Sequence, residues 1–280
     1  MIDTQLKDKV VLVTGANHGI GAATARAMAK QGAKVFIAYF RLGENYTSDR
    51  TNLYKQRQNL SADNILTEIK KKEGVVKALE LDLSDVKSIK KLFDEVENAF
   101  GTVNILVNNA AYCDPDTFEP ETSVKEVKTG LTSKTITLEV FEKHFAINTR
   151  AIALLINEFA NRHRNKNASW GRIINISTDW AECFPTEISY GASKAAMESY
   201  SRSAAVELGK YGITVNIVAP GPIQTGWMTK EVEAAQAQNS PLRRIGQPED
   251  IADVIVFLAS QQSRWLTGQR LFVGGGNRLI

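Results

Sequence analysis

The chain has 280 residues, of which 43% are hydrophobic and 23% are charged, a composition typical of a globular protein with room for one large domain. Its formal net charge is +3 and is spread along the chain, which argues against nucleic acid or an anionic membrane as a partner. Because Cys113 and Cys183 lie far apart, no long apolar stretch occurs and residues 1–6 lack a signal-peptide pattern, we expect a cytoplasmic protein without a metal cluster.

The first predicted strand, residues 9–14, is apolar and runs into a glycine-rich loop, which an alanine-rich helix ending near residue 32 follows. Glycines permit a tight turn and let backbone N–H groups approach a pyrophosphate, which then rests at the positive end of the helix. A glycine loop alone is weak support, since ordinary strand–helix turns share its composition. With a strand before it and a helix after it, we expect it to bind a dinucleotide. The predicted binding residues are Gly15, Asn17, His18, Gly19, Ile20 and Gly21.

A second predicted strand, residues 34–39, completes a strand–helix–strand unit. Many NAD-binding proteins carry an acidic residue at the end of this strand for the adenosine ribose hydroxyls. This chain has Arg41 nearby instead, which can meet a 2′-phosphate, so NADP(H) is favoured and NAD(H) stays possible. A solvated loop arginine is the alternative interpretation of Arg41.

Residues 42–60 are polar and aperiodic, and we expect an inserted loop, with room for a short helix, beside the adenosine end of the site. A helix over residues 61–73 and a strand over residues 75–81 follow. The strand closes on Asp82 and Leu83, where the Asp82 carboxylate is placed to accept a hydrogen bond from the adenine amino group. Asp82 as an N-cap for the helix that begins near residue 84 is the alternative.

After a predicted helix over residues 85–100, the buried strand over residues 103–107 leads into Asn108, Asn109 and Ala110. Two adjacent amides can lock neighbouring strand ends together, while the small residue leaves room for a flat ligand. Residues 112–138 then form a long stretch that is acidic at its start, threonine-rich at its end and without a clear period. Loops of this length are usually functional or mobile, so this second insertion is a candidate wall for the substrate pocket.

One long or kinked helix is predicted over residues 138–162, with Asn148 in its middle. Because asparagine is a poor choice for a helix interior, we expect Asn148 to make a specific polar contact; a satisfied core amide is the alternative. A fifth strand over residues 172–176 delivers Ser177 and Thr178 at its carboxyl end. Either hydroxyl can hydrogen-bond a substrate oxygen.

Tyr190 and Lys194 are four residues apart within a predicted helix that continues to residue 209. On one helical turn such side chains face the same way and can touch. A fixed ammonium beside a phenol favours the phenolate, which makes Tyr190 a usable proton donor or acceptor at cellular pH. An isolated pair with this spacing also arises by chance on a surface helix.

The sixth strand, residues 213–218, stops sharply at Pro220 and Gly221. Residues 227–242 are amphipathic and lie between two prolines, so we expect a semi-independent lid helix within a lid region near residues 222–245. A helix over residues 249–260 and a short strand over residues 270–273 complete the chain.

Strands and helices alternate throughout, which predicts a single α/β domain over residues 1–280 with a Rossmann-like, doubly wound sheet of seven mostly parallel strands and helices on both faces. In such sheets ligands collect at the carboxyl ends of the strands, around the switch in strand order. Gly15, Asp82, Asn108, Ser177 and Pro220 all follow strand ends. Their agreement favours a functional reading of Tyr190 and Lys194 over a chance one.

These motifs resemble the short-chain dehydrogenase/reductase family along essentially the whole chain, including similarity to 3-oxoacyl-acyl carrier protein reductases. The resemblance implies that Tyr190 protonates a carbonyl oxygen while the nicotinamide delivers hydride to its carbon. Lys194 would hold the nicotinamide ribose, Asn148 would anchor a proton-relay water, and Thr225 would bind the carboxamide. The further cofactor-binding residues implied are Asp82, Leu83, Asn109, Ala110, Pro220, Gly221 and Ile223.

Several positions depart from the family pattern. The family's substrate-orienting serine stands thirteen residues before the tyrosine, which gives Ser177, whereas matching the preceding strand gives Thr178; we lean toward Ser177 and keep Thr178 open. Ala111 stands where glycine is usual, and Gly274 where an acidic residue is common. The two insertions have no equivalent in the shortest members of the family.

The resemblance implies a reductase of 3-oxoacyl or small-ketone type that prefers NADP(H). A non-catalytic NADP-sensing or scaffold protein is the alternative, which the joint presence of Asn148, Tyr190 and Lys194 disfavours. Some large apolar residues suggest a partly apolar small-molecule substrate, although such residues equally often pack a subunit interface. They are Trp180, Phe184, Trp227 and Met228.

The helices over residues 141–162 and 193–209 carry apolar residues on more than one face. One face packs on the sheet, and the other resembles the four-helix contact of the family. The resemblance therefore implies a homotetramer, with a dimer as the alternative.

Overall fold

A computed structural model describes residues 3–43, 51–120, 124–125 and 131–279. Parts of both predicted insertions, residues 44–50, 121–123 and 126–130, lie outside the described residues. The strands of the described part are β1 (Val10–Thr14), β2 (Lys34–Tyr39), β3 (Val76–Glu80), β4 (Ile105–Asn108), β5 (Asp116–Thr117), β6 (Val124–Lys125), β7 (Thr132–Thr135), β8 (Gly171–Ile176), β9 (Ile213–Pro220) and β10 (Arg270–Val273).

Nine α-helices connect these strands within the same described ranges. They are α1 (Gly19–Lys30), α2 (Asn52–Gln58), α3 (Asp63–Lys71), α4 (Lys87–Phe100), α5 (Leu138–Phe145), α6 (Ile152–Asn165), α7 (Ile188–Leu208), α8 (Lys230–Asn239) and α9 (Pro248–Ala259). A six-residue π-helical segment, Ala146–Ala151, joins α5 to α6. No described helix has the length and apolar character that a bilayer span requires.

Seven strands form one sheet in the order β3-β2-β1-β4-β8-β9-β10, and every neighbouring pair is parallel. This confirms the predicted doubly wound arrangement. The strand order reverses between β1 and β4, and the crevice at such a reversal is where open α/β sheets bind ligands. The fold therefore places the ends of β1 and β4 at the centre of the site.

Successive residues of the central strands point to opposite faces of the sheet, and each face has its own core. Val11 and Val13 pack with residues of α1, α3 and α9, while Val10 and Leu12 pack with residues of α4, α6 and α7. All five residues of β1 are buried, as expected for a strand covered on both faces. These two layers fix the sheet edge on which the site is built.

The second insertion has structure that its aperiodic sequence did not predict. Strand β7, which contains two β-branched threonines, pairs parallel with β5 and antiparallel with β6 to form a small separate sheet. Ser133 Oγ donates to Thr186 O at 2.7 Å, which ties this sheet to the segment before α7. The expectation of an irregular loop over residues 112–138 is thus corrected for the described part of that range.

The first insertion contains the short helix that its sequence left room for. Thr51 is the N-cap of α2, and its hydroxyl accepts a hydrogen bond from Tyr54 N at 3.1 Å. The lid region also contains a helix, α8, which is shorter than the predicted range of residues 227–242.

Candidate active site

One large cavity, of about 1100 Å³, lies at the carboxyl edge of the sheet. It is lined by residues of the glycine loop at one end and by Tyr190 and Lys194 at the other. The loops after β2, β3, β4, β8 and β9 complete its walls. The cavity therefore brings together the glycine loop and the Tyr190–Lys194 pair, the two predicted halves of a hydride-transfer site.

The glycine loop is packed so tightly that side chains would not fit at two of its positions. Gly15 has φ +63°, and a Cβ there would lie 2.7 Å from Ala110 Cα. A Cβ on Gly21 would lie 2.4 Å from Gly15 O and 2.6 Å from Asn109 Nδ2. No side chain covers the backbone at these two positions of the glycine loop and the start of α1, which fits the close approach of a pyrophosphate to the start of a helix.

The ends of β1 and β4 are locked together by side-chain hydrogen bonds. Asn109 Nδ2 donates to Thr14 O at 3.0 Å and to Gly15 O at 2.8 Å, and Thr14 Oγ1 accepts from the backbone N–H groups of Asn109 and Ala110. Asn108 Nδ2 donates to Asn175 Oδ1 at 2.7 Å on the neighbouring strand β8. The two amides therefore act as the sequence predicted.

His18 stands at the N-cap position of α1 without capping it. Burial lowers its pKa to about 4; a hydrogen bond with Gln58 opposes this shift and the nearby charge of Arg57 adds to it. His18 is consequently neutral at pH 7. Its Nδ1 is enclosed and has no hydrogen-bond partner among the described residues.

The end of the cavity where the sequence predicts the adenosine is lined by Asp82 and Leu83 after β3 and by Tyr39 and Phe40 after β2. Asp82 Oδ1 accepts a hydrogen bond from Ser84 N at 2.8 Å, a local turn rather than a helix N-cap, since α4 begins only at Lys87. The other carboxylate oxygen of Asp82 keeps its capacity to accept a hydrogen bond.

Arg41 does not line the cavity. Its guanidinium pairs with Glu80 at the end of β3, with Nε to Oε1 at 2.9 Å and Nη2 to Oε2 at 2.7 Å. Both side chains are partly exposed, at 49% for Arg41 and 31% for Glu80, so solvent weakens the pair. The hydrogen bonds of this pair lower the pKa of Glu80 and raise that of Arg41. Sequence reasoning missed Glu80 because it lies on a different strand.

Tyr190 and Lys194 lie in the first two turns of α7, which begins at Ile188 rather than at Tyr190. The Lys194 Nζ lies 5.7 Å from the centre of the Tyr190 ring and donates to Ile176 O at 2.7 Å. Lys194 is only 1% exposed, and burial lowers its pKa to about 8, with the charges of Cys113 and Glu198 acting in the opposite sense. An ammonium is thus held beside the phenol.

Asn148 is fully buried in the π-helical segment, where it holds two other parts of the site. Its Oδ1 accepts from Tyr112 N at 2.9 Å, and its Nδ2 donates to Tyr112 O at 2.8 Å and to Ser193 Oγ at 3.0 Å. Both amide protons are therefore used by the protein, and a water can bond only to Oδ1. The kink that the sequence allowed is this π segment, a feature often found at functional sites.

Ser177 and Thr178 both line the cavity, but their hydroxyls have different partners. Ser177 Oγ donates to the buried carboxylate of Glu198 at 2.5 Å. Thr178 Oγ1 accepts from Trp180 N at 3.4 Å, which leaves its own proton to donate. Arg270 contacts both the backbone of Thr178 and the carboxylate that Ser177 binds. Its Nη2 donates to Thr178 O at 3.0 Å, and its Nε lies 3.1 Å from Glu198 Oε1.

The loop after β9 closes the cavity opposite the glycine loop. Thr225 packs against Gly19, since a Cβ on Gly19 would lie 3.2 Å from Thr225 Cγ2. Three residues of α8 also line the cavity. They are Ala235, Gln236 and Asn239.

The end of the cavity around Tyr190, where the substrate is expected, combines aromatic rings with buried carboxylates. Tyr190 makes edge-to-face contact with Phe184, whose ring centre lies 6.0 Å away. Asp179 and Glu187 are each at most 7% exposed, and burial raises the pKa of Asp179 while its hydrogen bond with Asn277 opposes the shift. Glu187 Oε2 accepts from the Cys113 thiol at 3.4 Å. Neither carboxylate stood out in the sequence, because only the fold brings them to the cavity.

Most of the predicted site residues line this one cavity. Those that do are Gly15, Asn17, His18, Gly19, Ile20, Asp82, Leu83, Asn109, Ala110, Ser177, Thr178, Tyr190, Lys194, Pro220, Gly221, Ile223 and Thr225. Gly21, Arg41 and Asn148 lie behind or beside it. Of the four large apolar residues expected at the substrate end, Met228 is buried elsewhere and the other three line the cavity. Across the described residues, no group of three or more His, Cys, Asp or Glu side chains could hold a metal.

Known proteins similar to this chain cover almost its whole length. A family model described as enoyl-(acyl carrier protein) reductase matches residues 15–278. NADPH-dependent aldehyde reductase 2, chloroplastic, of Arabidopsis thaliana is 36% identical over 97% of this chain and 94% of its own length. Versicolorin reductase stcU of Emericella nidulans is 32% identical over 97% of this chain and 96% of its own. Among solved structures, a mutant short-chain dehydrogenase/reductase of Serratia marcescens has a TM-score of 0.80 at 27% identity, covering 98% of this chain and 99% of that one.

Proposed function

The chain belongs to the short-chain dehydrogenase/reductase family, and we propose that it is an NADP(H)-preferring reductase of a small, uncharged ketone or aldehyde. The observation that carries the proposal is the single cavity in which the glycine loop and the Tyr190–Lys194 pair both take part. A nucleotide held by the first would present its nicotinamide to the second. We also propose that the whole chain acts as one domain, since the main sheet includes strands from β1 to β10.

A bound nicotinamide supplies the hydride. In the proposed reaction Tyr190 donates its phenolic proton to the carbonyl oxygen. The Lys194 ammonium stabilises the phenolate that remains, and Asn148 holds the start of α7 in place through Ser193. Of the two hydroxyls that the sequence left open, we propose Thr178 as the one that orients the carbonyl oxygen, because Ser177 is committed to Glu198.

The lining of the substrate end supports an uncharged substrate. Asp179 and Glu187 are both buried there, and Lys194 is the only Lys or Arg among the described lining residues. An anionic substrate would have to approach two carboxylates in a low-dielectric setting, which costs free energy. Trp180, Phe184 and Trp227 offer apolar surface instead.

The preference for NADP(H) rests on two observations. The Arabidopsis relative is named as NADPH-dependent. The cavity wall after β2 presents Tyr39, Phe40 and Leu42 rather than a carboxylate. Glu80 lies nearby, but Arg41 pairs with it and limits its repulsion of a 2′-phosphate.

The test of the proposed reaction is NADPH oxidation with a panel of aromatic ketones, aliphatic aldehydes, 3-oxoacyl thioesters and keto acids. Tyr190→Phe removes the proton donor and is expected to lower kcat by about 100-fold to 10,000-fold, with the NADPH dissociation constant unchanged. If the wild type binds NADPH and reduces none of these carbonyls, the non-catalytic NADP-sensing alternative replaces the reductase. Faster turnover of keto acids than of neutral ketones would contradict the uncharged-substrate proposal.

For assembly we propose a homotetramer, with a dimer as the alternative. Tyr200 and Val206 on α7 are 53% and 84% exposed, and Phe141 on α5 is 37% exposed, so these helices leave apolar surface uncovered in one chain. Sedimentation at micromolar concentration tests this proposal, and a purely monomeric species would remove it. Cys113 and Cys183 form no disulfide in the described structure, which suits the reducing cytoplasm that we propose as the location.

A further inference from the structure

We propose that Arg57, on the inserted helix α2, binds the pyrophosphate of the nucleotide and supplies a positive charge that the glycine loop lacks. The inference rests on the nucleotide binding proposed above and assigns a new residue to it. Sequence reasoning placed the first insertion near the adenosine, whereas the structure places α2 between the glycine loop and the loop after β9.

Two hydrogen bonds hold the α2 segment across this half of the cavity. Thr51 Oγ1 donates to Gly226 O at 2.5 Å, in the loop after β9. At the other end of the segment, Asn17 Nδ2 of the glycine loop donates to Leu60 O at 2.9 Å. Gln58 lies beside His18 and lines the same cavity. Helix α2 therefore bridges the two loops between which a pyrophosphate would lie.

The guanidinium of Arg57 lies directly against Gly226. A Cβ on Gly226 would be 3.0 Å from Arg57 Cδ, 3.1 Å from Nη1 and 3.3 Å from Cζ, and the backbone there has φ +104°. Gly226 follows Thr225, which packs on Gly19 at the first turn of α1. Arg57 thus lies beside the loop that packs on the start of α1. It does not itself line the cavity, whereas Tyr54 and Gln58 on the same helix do, so its long side chain would turn toward the start of α1 to reach a pyrophosphate.

The charges around the cavity show why a cation is needed there. The described lining contains three carboxylates, those of Asp82, Asp179 and Glu187, against the single ammonium of Lys194 at the far end. His18, beside the start of α1, is neutral at pH 7. Asn17, Gln58 and Thr225 also line this half but are uncharged, so a pyrophosphate would otherwise meet only neutral side chains, backbone N–H groups and the helix terminus.

Arg57 is available for this role. No carboxylate among the described residues pairs with it, in contrast to Arg41, which Glu80 holds. The charge of Arg57 already acts on His18, whose pKa it helps to lower, so its field reaches the glycine loop. Arginine is also the side chain best suited to bidentate contact with phosphate oxygens.

The position favours the pyrophosphate over the 2′-phosphate. A 2′-phosphate would lie at the end of β2, next to Phe40 and Arg41, whereas Arg57 packs on the loop after β9. The pyrophosphate is common to NADH and NADPH. Loss of Arg57 should therefore weaken both nucleotides by the same factor.

The experiment measures the dissociation constants of NADPH and NADH by nucleotide fluorescence for the wild type, Arg57→Ala, Arg57→Lys and Lys55→Ala. Arg57→Ala is expected to weaken both nucleotides by about 10-fold to 100-fold. Arg57→Lys keeps the charge, and its dissociation constants for both nucleotides are expected to lie between those of the wild type and Arg57→Ala. Lys55→Ala removes the same charge from the same helix, about 200° away around its axis, and is expected to leave both constants within about twofold of the wild type.

Unchanged binding of both nucleotides to Arg57→Ala, or a loss confined to NADPH, would overturn the proposal. So would an equal loss in Lys55→Ala, because it would show a general charge effect. Thermal unfolding of each variant separates loss of the site from loss of the fold. A wild type that binds neither nucleotide removes the proposed function itself, whereas a wild type that binds both with Arg57→Ala unaffected removes only this inference.

Discussion

The two halves of the cavity are built in different ways. The nucleotide half is made of backbone and small residues whose contacts stay within the strand ends, such as Gly15 against Ala110 and Asn109 on Gly15 O. The substrate half is made of side chains from separate segments, including Tyr112, Trp180, Glu187 and Asn239. The first half therefore depends on short motifs that neighbouring strands of the sheet bring side by side, and the second depends on where helices and loops from separate segments meet.

Substitutions of Ser177 and Thr178 after β8 test this comparison most directly. We expect the hydroxyl that acts in the reaction to belong to the substrate half. Thr178→Val is expected to lower kcat/KM for the carbonyl by about 100-fold, because it removes a hydrogen-bond donor to the developing oxyanion. The NADPH dissociation constant should stay unchanged. Steady-state kinetics and a nucleotide titration make both measurements.

Ser177→Ala is the matched control for Thr178→Val. It leaves Glu198 without its serine partner but still beside Arg270, so it should lower the melting temperature more than the rate. If instead Ser177→Ala abolishes turnover and Thr178→Val does not, the catalytic hydroxyl is Ser177.

Substitutions of Arg41 and Glu80 test whether the nucleotide half extends beyond the residues that line the cavity. Arg41→Ala is expected to weaken NADPH by about 10-fold while leaving NADH nearly unchanged, because only NADPH carries the 2′-phosphate. Glu80→Gln should strengthen NADPH, since it frees Arg41 from its carboxylate partner. Competitive titrations of the two nucleotides measure the ratio of the NADPH and NADH dissociation constants for each variant.

Equal effects of Arg41→Ala on both nucleotides would show that Arg41 stays with solvent or with Glu80. The nucleotide half would then end at the residues that line the cavity, and its NADP(H) preference would need another source.

Lys194 lies where the two halves of the cavity meet, and its charge depends on pH. Its pKa of about 8 means that the ammonium is present below this pH and lost above it. The rate of carbonyl reduction is therefore expected to fall above pH 8, by no more than about tenfold per pH unit. The pH profile of kcat/KM for NADPH at saturating carbonyl measures it, and a rate that stays constant to pH 10 would contradict the assignment.

The same shift affects stability. Because the pKa of Lys194 falls from its ordinary 10.5 to about 8 on folding, the unfolded chain binds more protons between these values. The stability of the wild type relative to Lys194→Met should rise with pH across this window, and below it the buried ammonium should lower stability. Denaturant unfolding at several pH values measures the difference.

Several features were predictable because they depend on neighbours in sequence. The strand–glycine–helix unit around Gly15, the amides after β4 and the Tyr190–Lys194 spacing all lie within a few residues of one another. The alternation of strands and helices predicted the parallel sheet for the same reason. The pairing of Arg41 with Glu80, by contrast, was not predictable, since the partner comes from an adjacent strand thirty-nine residues away.

The sequence by itself determined that this chain forms a doubly wound sheet with a glycine-rich loop after its first strand and with Tyr190 and Lys194 one turn apart on a helix. The tertiary structure alone decided that Ser177 turns to Glu198, that Asp179 and Glu187 reach the substrate end, and that α2 lies over the glycine loop. The physical reason is that local spacing fixes backbone geometry, whereas the partner of a side chain depends on contacts between segments far apart in the chain.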